Sequence, residues 1–354
     1  MDAARSLRAL GLRIGELESG PTNSIADVAG VGVGHVTVVR DEPDPPGGRG
    51  VARTGVTAIM PAAPATLHAQ PLAAGVAVLN GAGEMTGSLQ VAEWAVLETP
   101  IYLTATMAVG RVFDGAVAAA VAADPTVGVE EVVIPVVAEC DDSWLSEARV
   151  VQVEAADAGR ALADAARGEV VEGAVGAGTG MMCFGFKGGI GTASRVTAGA
   201  TSATVGVVVL ANFGSRRDLR IDGVPVGRLL GGRLPDAGPR PAGSCIAVVA
   251  THAPLHGAQL ERIARRAGLG LARTGSVAHH GSGEIFLAFT TARGPDALAD
   301  AELDPLFAAT VDATEEAVVN ALWAAERVVG REGRVAEALP HDDVVALLED
   351  HRRL

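Results

Sequence analysis

The sequence predicts layers of strands and helices in mixed order, an α+β or α/β arrangement, within one large domain. Apolar runs of strand length and longer runs of helical period follow one another along all 354 residues, with no internal repeat, low-complexity tail or linker to divide them. The composition is 49% hydrophobic but 3% aromatic, with 45 glycines, so the core has to be Ala, Val and Leu in closely packed layers joined by tight turns. A chain of this length buries a sizeable core without cross-links.

The first half reads as follows. Residues 31–38 alternate around Gly32 and Gly34 after the turn-rich Ser19-Gly20-Pro21-Thr22-Asn23, which predicts a strand. Segment 41–50, rich in Pro, Gly and Asp, is a loop, and strands follow at 55–60 and 75–79. Residues 88–98 set Leu89, Ala92 and Val96 on one helical face until Pro100 stops the run. A second helix over 111–123 is alanine and valine on nearly every side, which predicts burial between layers. Residues 132–137 form an apolar strand with Glu139 just past its end, and 154–167 is an alanine-rich helix closed by Gly168.

Two glycine-rich segments come next, 173–180 and 185–191, the second holding Lys187, the single lysine of the chain. They match neither the phosphate-binding P-loop nor the dinucleotide fingerprint, so close backbone packing near a site is the better reading. Residues 205–210 form a strand that runs into Asn212. From 215 to 243 the chain has no clear periodicity, a length of loop that marks function or disorder. It delivers Gly243-Ser244 to a buried apolar run ending at Thr251. Pro254 then opens a helix with Leu260, Ile263, Ala264 and Ala267 on one face, ended by Gly268. His279-His280-Gly281-Ser282-Gly283 leads into a strand over 284–290, and the rest is helical around Val318, Ala321, Leu322 and Ala325 and again over 342–350.

Charge and cysteine usage exclude several classes. A net charge of -14, from 42 acidic and 28 basic residues, repels nucleic-acid backbones and anionic membranes. The apolar runs are interrupted before they reach the roughly 20 residues of a spanning helix. The opening Met1-Asp2-Ala3-Ala4-Arg5 lacks a signal pattern, so a soluble, cytoplasmic protein is expected. Cys140, Cys183 and Cys245 are odd in number and scattered, which fits reduced thiols rather than disulfides or a zinc site.

Four polar residues stand at strand ends: Asn212, Ser244, Ser282 and Glu284. Ser282 and Glu284, two apart, share one face. Ser244 at its loop-to-strand junction is either a nucleophile or an ordinary turn residue, and Cys245 beside it lies within the apolar run as packing. His252, His256, His279 and His280 are near in sequence, yet none pairs with a carboxylate in triad order. If the Gly243-Ser244 bond is broken, the α-amine of Ser244, of ordinary pKa about 7.7 to 8.0, becomes a base for its own hydroxyl.

The segments Thr22-Asn23-Ser24-Ile25-Ala26-Asp27-Val28, Leu79-Asn80-Gly81-Ala82-Gly83-Glu84-Met85-Thr86-Gly87, Gly176-Ala177-Gly178-Thr179-Gly180, Gly185-Phe186-Lys187-Gly188-Gly189-Ile190-Gly191, Ala211-Asn212-Phe213-Gly214, Gly243-Ser244 and Gly281-Ser282-Gly283-Glu284-Ile285-Phe286 together resemble the DmpA family. These are the self-cleaving L-aminopeptidase/D-amidase/esterases and β-peptidyl aminopeptidases of peptidase family S58. The resemblance runs from about residue 12 to about residue 330.

It implies a four-layer αββα sandwich of the N-terminal-nucleophile type, a single layered domain over 1–354. The chain would be cut between Gly243 and Ser244 into an α chain, 1–243, and a β chain, 244–354, that stay together. By position, Ser244 would be the nucleophile, Ser282 and Glu284 the partners that orient and polarise it, and Asn212 the side-chain oxyanion donor. Glu139 would receive the free amine of the substrate. Some members carry a tyrosine two residues further on; here Asp141 stands there and Trp144 is the nearest aromatic, a candidate substrate contact. Asp141 either favours basic substrates or is a solvated loop acid.

The implied activity is release of small N-terminal residues from short peptides, amides or esters through an acyl-enzyme on Ser244, without metal or cofactor. The implied assembly is a homo-oligomer of processed heterodimers. Two alternatives stay open at this point: acyl transfer, as in the related ornithine acetyltransferase fold, and an uncleaved, non-catalytic binding protein.

Overall fold

Two β-sheets face each other across an apolar seam, and helices cover the outer side of each. The structure is a computed structural model and describes residues 6–165, 170–198, 202–231, 243–294 and 296–354. In chain order its strands are β1 Gly32–Asp41, β2 Val51–Met60, β3 Leu72–Gly81, β4 Val96–Leu97, β5 Ile101–Ala105, β6 Val136–Cys140, β7 Met182–Cys183, β8 Phe186–Lys187, β9 Gly189–Val196, β10 Thr204–Asn212, β11 Ser244–Thr251, β12 Gly283–Thr290, β13 Val328–Val329 and β14 Val335–Ala336. The helices are α1 Pro64–Leu67, α2 Ser88–Trp94, α3 Val109–Ala123, α4 Ala156–Asp164, α5 Val226–Leu229, α6 Gly257–Arg273, α7 Asp304–Ala324 and α8 His341–Asp350.

One sheet has the order β1-β2-β5-β6 and the other β4-β3-β12-β11-β10-β9. Every residue of β11 and β12 is buried, which is why both read as unbroken apolar runs rather than alternating ones. The alternation survives in where the side chains go. Ile246, Val248 and Ala250 enter the seam with Leu103, Ala138, Val208 and Leu210, while Cys245, Ala247 and Val249 face α6 and α7. On the outer side of the other sheet, Val56, Ala58, Tyr102 and Val137 pack against Val112 and Ala116 of α3 and Ala158 and Ala161 of α4. The four layers are therefore α, β, β, α.

Glycine lets these layers touch backbone to backbone. A Cβ on Gly191 of β9 would lie 1.9 Å from the Ala317 carbonyl oxygen of α7, and one on Gly270 of α6 would lie 2.7 Å from the Val311 carbonyl oxygen. The helix therefore runs through Gly268 and Gly270 to Arg273 instead of ending at Gly268, since tertiary packing outweighs the propensity cost of about 1 kcal/mol per glycine.

Other sequence expectations are corrected by the fold. Helix α2 stops at Trp94, because Ala95 takes a left-handed conformation (φ 58°) and hands Val96-Leu97 to the sheet as β4. Its buried residue is Val91, while Leu89 is 86% exposed. Helix α3 is an outer layer with one buried face, Val112, Gly115 and Ala116, and does not lie between layers. The stretch Thr106–Ala123 is, after all, long and apolar enough to cross a membrane by composition, and here its buried face serves the core. Glu139 lies inside β6, which starts only at Val136. The stretch after β10 is built rather than structureless as far as Gly231: Leu219, Ile221, Val224, Val226 and Leu230 are all core. Gly168, expected to close α4, lies outside the described residues.

A Gly191→Ala substitution should lower stability by about 1–3 kcal/mol, the usual cost of forcing atoms into a packed core. Thermal or urea melts of the variant should show the loss, and an unchanged midpoint would contradict direct contact between β9 and α7.

Candidate active site

The chemistry gathers at one end of the six-stranded sheet because of how its central strands run. Asn212 ends β10 and pairs with Ser244, which begins the antiparallel β11. Gly283 begins β12, parallel to β11, and pairs with Ser244 from the other side. Ser244 is thus bracketed by Asn212 on one neighbour and by Ser282, Gly283 and Glu284 on the other. All but the glycine of these are side chains with chemistry, and all are buried.

Just before Ser244 the backbone is pressed against its neighbour. A Cβ on Gly243 would lie 1.7 Å from the Asn212 carbonyl oxygen and 2.8 Å from the Phe213 Cα, so no L side chain fits there without a shift of backbone. Residues 232–242, the rest of the expected loop, lie outside the described residues.

The amide of Asn212 is oriented without ambiguity. Its Oδ1 accepts from the Met182 N–H at 2.8 Å, and its Nδ2 donates to the Asp141 carbonyl at 2.9 Å. The reverse orientation would set donor against donor and acceptor against acceptor. One Nδ2 hydrogen is left for a further acceptor.

On the other flank, the Ser282 hydroxyl donates to Glu284 Oε1, and Glu284 Oε2 is buried with no hydrogen-bond partner. Burial raises the pKa of this carboxyl above its usual range, opposed by the Ser282 hydroxyl and by His279. The loop carrying Ser282 is clamped by Asn80 at the end of β3, whose Nδ2 donates to the carbonyls of His279, His280 and Ser282 at 3.0, 3.3 and 2.5 Å.

Glu139 and Cys140 close β6 in the opposite sheet. The Cys140 thiol faces the seam and donates to the Leu210 carbonyl at 3.6 Å, and burial drives its pKa well up. Glu139 accepts from the Glu84 N–H at 2.9 Å through Oε1 and from the Thr106 hydroxyl through Oε2. Burial again raises its pKa, countered by those two donors and reinforced by Asp141. The turn Gly83-Glu84 joins this carboxylate to the start of β12 beside Ser244. A Cβ on Gly83 would lie 3.0 Å from Glu139 Oε1 and 3.7 Å from the Gly283 Cα.

Asp141 folds back on Ser143, accepting from its N–H at 2.8 Å and its hydroxyl at 3.0 Å. Trp144 packs in a separate small cluster with Leu145, Met182, Val328 and Ala336, its ring centroid 5.9 Å from the Arg334 guanidinium carbon. Sequence reasoning does not assign the roles of Asn80, Thr106 or Cys140; Asn80 lies within one of the segments that carry the family resemblance, while Thr106 and Cys140 carry no local signal of such a role.

Residues 23–336 match the family model described as peptidase family S58. The chain belongs to that family. It is a serine aminopeptidase, a hydrolase, with the N-terminal-nucleophile type of fold. A β-peptidyl aminopeptidase of Sphingosinicella microcystinivorans is 41% identical over 95% of this chain and 90% of its own. Among solved structures, a protein of Pyrococcus horikoshii OT3 has a TM-score of 0.92 at 41% identity, covering 98% of this chain and 99% of its own. The L-aminopeptidase D-Ala-esterase/amidase of Ochrobactrum anthropi, described as a prototype serine aminopeptidase and a variant of the Ntn hydrolase fold, reaches 0.89 at 40% identity, with coverage of 98% and 99%. Family membership supports the peptidase reading over acyl transfer or a bare binding protein.

Removing the clamp with Asn80→Ala should quicken hydrogen exchange at the Ser282 amide, which donates to the His279 carbonyl at 2.7 Å. A stability loss of about 1–3 kcal/mol should accompany it, because carbonyls of the loop are left without their donor. Unchanged exchange at Ser282 would rule out the clamp.

Proposed function

We propose that this S58 member cuts itself between Gly243 and Ser244 and that the freed Ser244 then releases N-terminal residues from short peptides, amides or esters. The observation that carries this reading is the position of Ser244: first residue of a central strand, behind an obligatory glycine, and flanked by Asn212 and the Ser282–Glu284 pair.

In the first reaction the Ser244 hydroxyl attacks the Gly243 carbonyl carbon. The bond from that carbon to the Ser244 nitrogen breaks as an ester to the Ser244 oxygen forms, and the nitrogen takes the hydroxyl proton. Water then hydrolyses the ester, leaving a Gly243 carboxylate and a Ser244 with a free amine. In the second reaction that amine accepts the hydroxyl proton as the oxygen attacks the substrate carbonyl. The free Nδ2 hydrogen of Asn212 and a backbone N–H hold the oxyanion, the leaving amine takes the proton, and water clears the acyl-enzyme. The unpartnered Glu284 Oε2 and the Ser282 hydroxyl orient and polarise the nucleophile. Glu139, held between Glu84 and Thr106, receives the substrate ammonium. Exposed apolar side chains on α2, Leu89 at 86% and Trp94 at 67%, favour an assembly of several processed heterodimers.

Denaturing mass analysis of purified protein should find two fragments, one ending at Gly243 and one starting at Ser244. An intact chain that still hydrolyses alanine p-nitroanilide would sink the reading. Asn212→Ala in a processed enzyme should lower kcat by roughly 10²–10³, as expected when one oxyanion donor is lost. Steady-state rates at saturating substrate measure it.

The raised pKa of Glu139 sets a pH limit. Its charged form binds the ammonium and is lost as pH falls, so kcat/KM should drop on acidification at a pH above the ordinary carboxylate range. A pH profile with alanine p-nitroanilide should show this limb as a second one beyond that set by protonation of the Ser244 amine, and Glu139→Gln should weaken turnover throughout and leave only the limb of the amine.

A further inference from the structure

The glycine-rich run around Lys187 has no part in the reactions above, yet it holds a fully buried ammonium beside the oxyanion donor. Lys187 Nζ donates to the carbonyls of Met181, Gly178 and Gly188 at 2.7, 2.8 and 2.8 Å. An ammonium has three donors and no acceptor, whereas a neutral amine would turn a lone pair toward the third carbonyl. The ligand set therefore fits the charged form. Burial nevertheless pulls its pKa from 10.5 down to about 7, with Cys183 and Asp142 acting in the other direction.

Asp142 is the buried acid whose charge acts on Lys187. It is buried, its Oδ2 has no hydrogen-bond partner, and burial pushes its pKa up to about 7 against the pull of Thr54 and Lys187. The two segments meet at Gly180, where a Cβ would lie 2.6 Å from the Asp142 Cβ.

The two backbone groups that grip Asn212 come from these same segments. The Met182 N–H, which fixes Oδ1, follows the Met181 carbonyl that ligates Lys187. The Asp141 carbonyl, which takes one Nδ2 hydrogen, precedes Asp142. We propose that Lys187 and Asp142 are a buried pair of opposite charge that positions Asn212 for the oxyanion by fixing the two backbone segments that hold its amide. This rests on the reading of Asn212 as oxyanion donor; neither member touches substrate, so both are positioning residues.

The test uses Lys187→Met and Asp142→Asn, alone and combined with Asn212→Ala, assayed on alanine p-nitroanilide after processing. Each single variant should lower kcat by roughly 10–100-fold, the effect of a misplacement of order 1 Å, and leave KM within about threefold. Against the Asn212→Ala background the same changes should cost almost nothing more, because the group they position is gone. Losses that multiply fully in the double variants, or that fall on KM, would overturn the proposal.

Should Lys187→Met fail to fold, Asp142→Asn and the unaltered enzyme still decide the matter. With one lysine in the chain, selective ¹³Cε-lysine labelling gives one resonance to titrate. Its midpoint should lie near 7 in the parent enzyme and lower still in Asp142→Asn. A midpoint that ignores Asp142 would remove the pair. A parent protein that neither cuts itself nor hydrolyses the anilide would instead undo the function proposed above, and that is seen before any variant is made.

Discussion

The pairing of Asn212 with Ser244 is the contact on which the rest of the site depends. It is an ordinary step of an antiparallel ladder, yet it sets the end of one strand against the start of the next and leaves the preceding residue no room for a side chain. A shift of β11 by one residue would turn the Ser244 side chain away from the seam and from Asn212. The two central strands, buried along their whole length, oppose such a slip, because the apolar residues of β11 and β12 are already committed to the seam or to the helices. The core thus serves as the alignment device for the chemistry at its edge.

Burial at that edge acts on the acids in a consistent direction. Glu139, Glu284 and Asp142 all have raised pKa values, and in each case desolvation is the leading cause. What differs is how far donors offset it. Glu139 has a backbone N–H and a hydroxyl, Glu284 a hydroxyl on one oxygen, and Asp142 the side chain of Thr54 with an ammonium close by. Three carboxyl groups of one type are in this way given different readiness to ionise by their neighbours alone.

Much of the architecture was legible in the sequence, and the misses have a common origin. Strands such as 205–210 and 284–290 announced themselves by runs of Val, Ile and Phe, and helices α6 and α7 by their periodic apolar faces. Helix ends were misjudged where glycine or alanine behaved against propensity: Gly268 continues a helix that α7 approaches closely, and Ala95 adopts a left-handed turn to release β4. The helix of alanine and valine at 109–123 looked buried on all sides because small residues are nearly neutral between surface and core. At the site, the same-face relation of Ser282 and Glu284 followed from the period of a strand. The contributions of Thr106, Asn80 and Cys140 did not, since each depends on a partner far away in sequence that only the packed sheets bring near.

The burial of the single lysine also has a consequence for the outside of the molecule. All basic charge on its side chains other than histidine is otherwise guanidinium, which stays protonated at any pH a protein survives. The folded surface therefore offers no lysine amine, and its primary amines are those of chain ends. Each break in the backbone adds one, so the number of amines that react in the native protein is a direct count of its polypeptides.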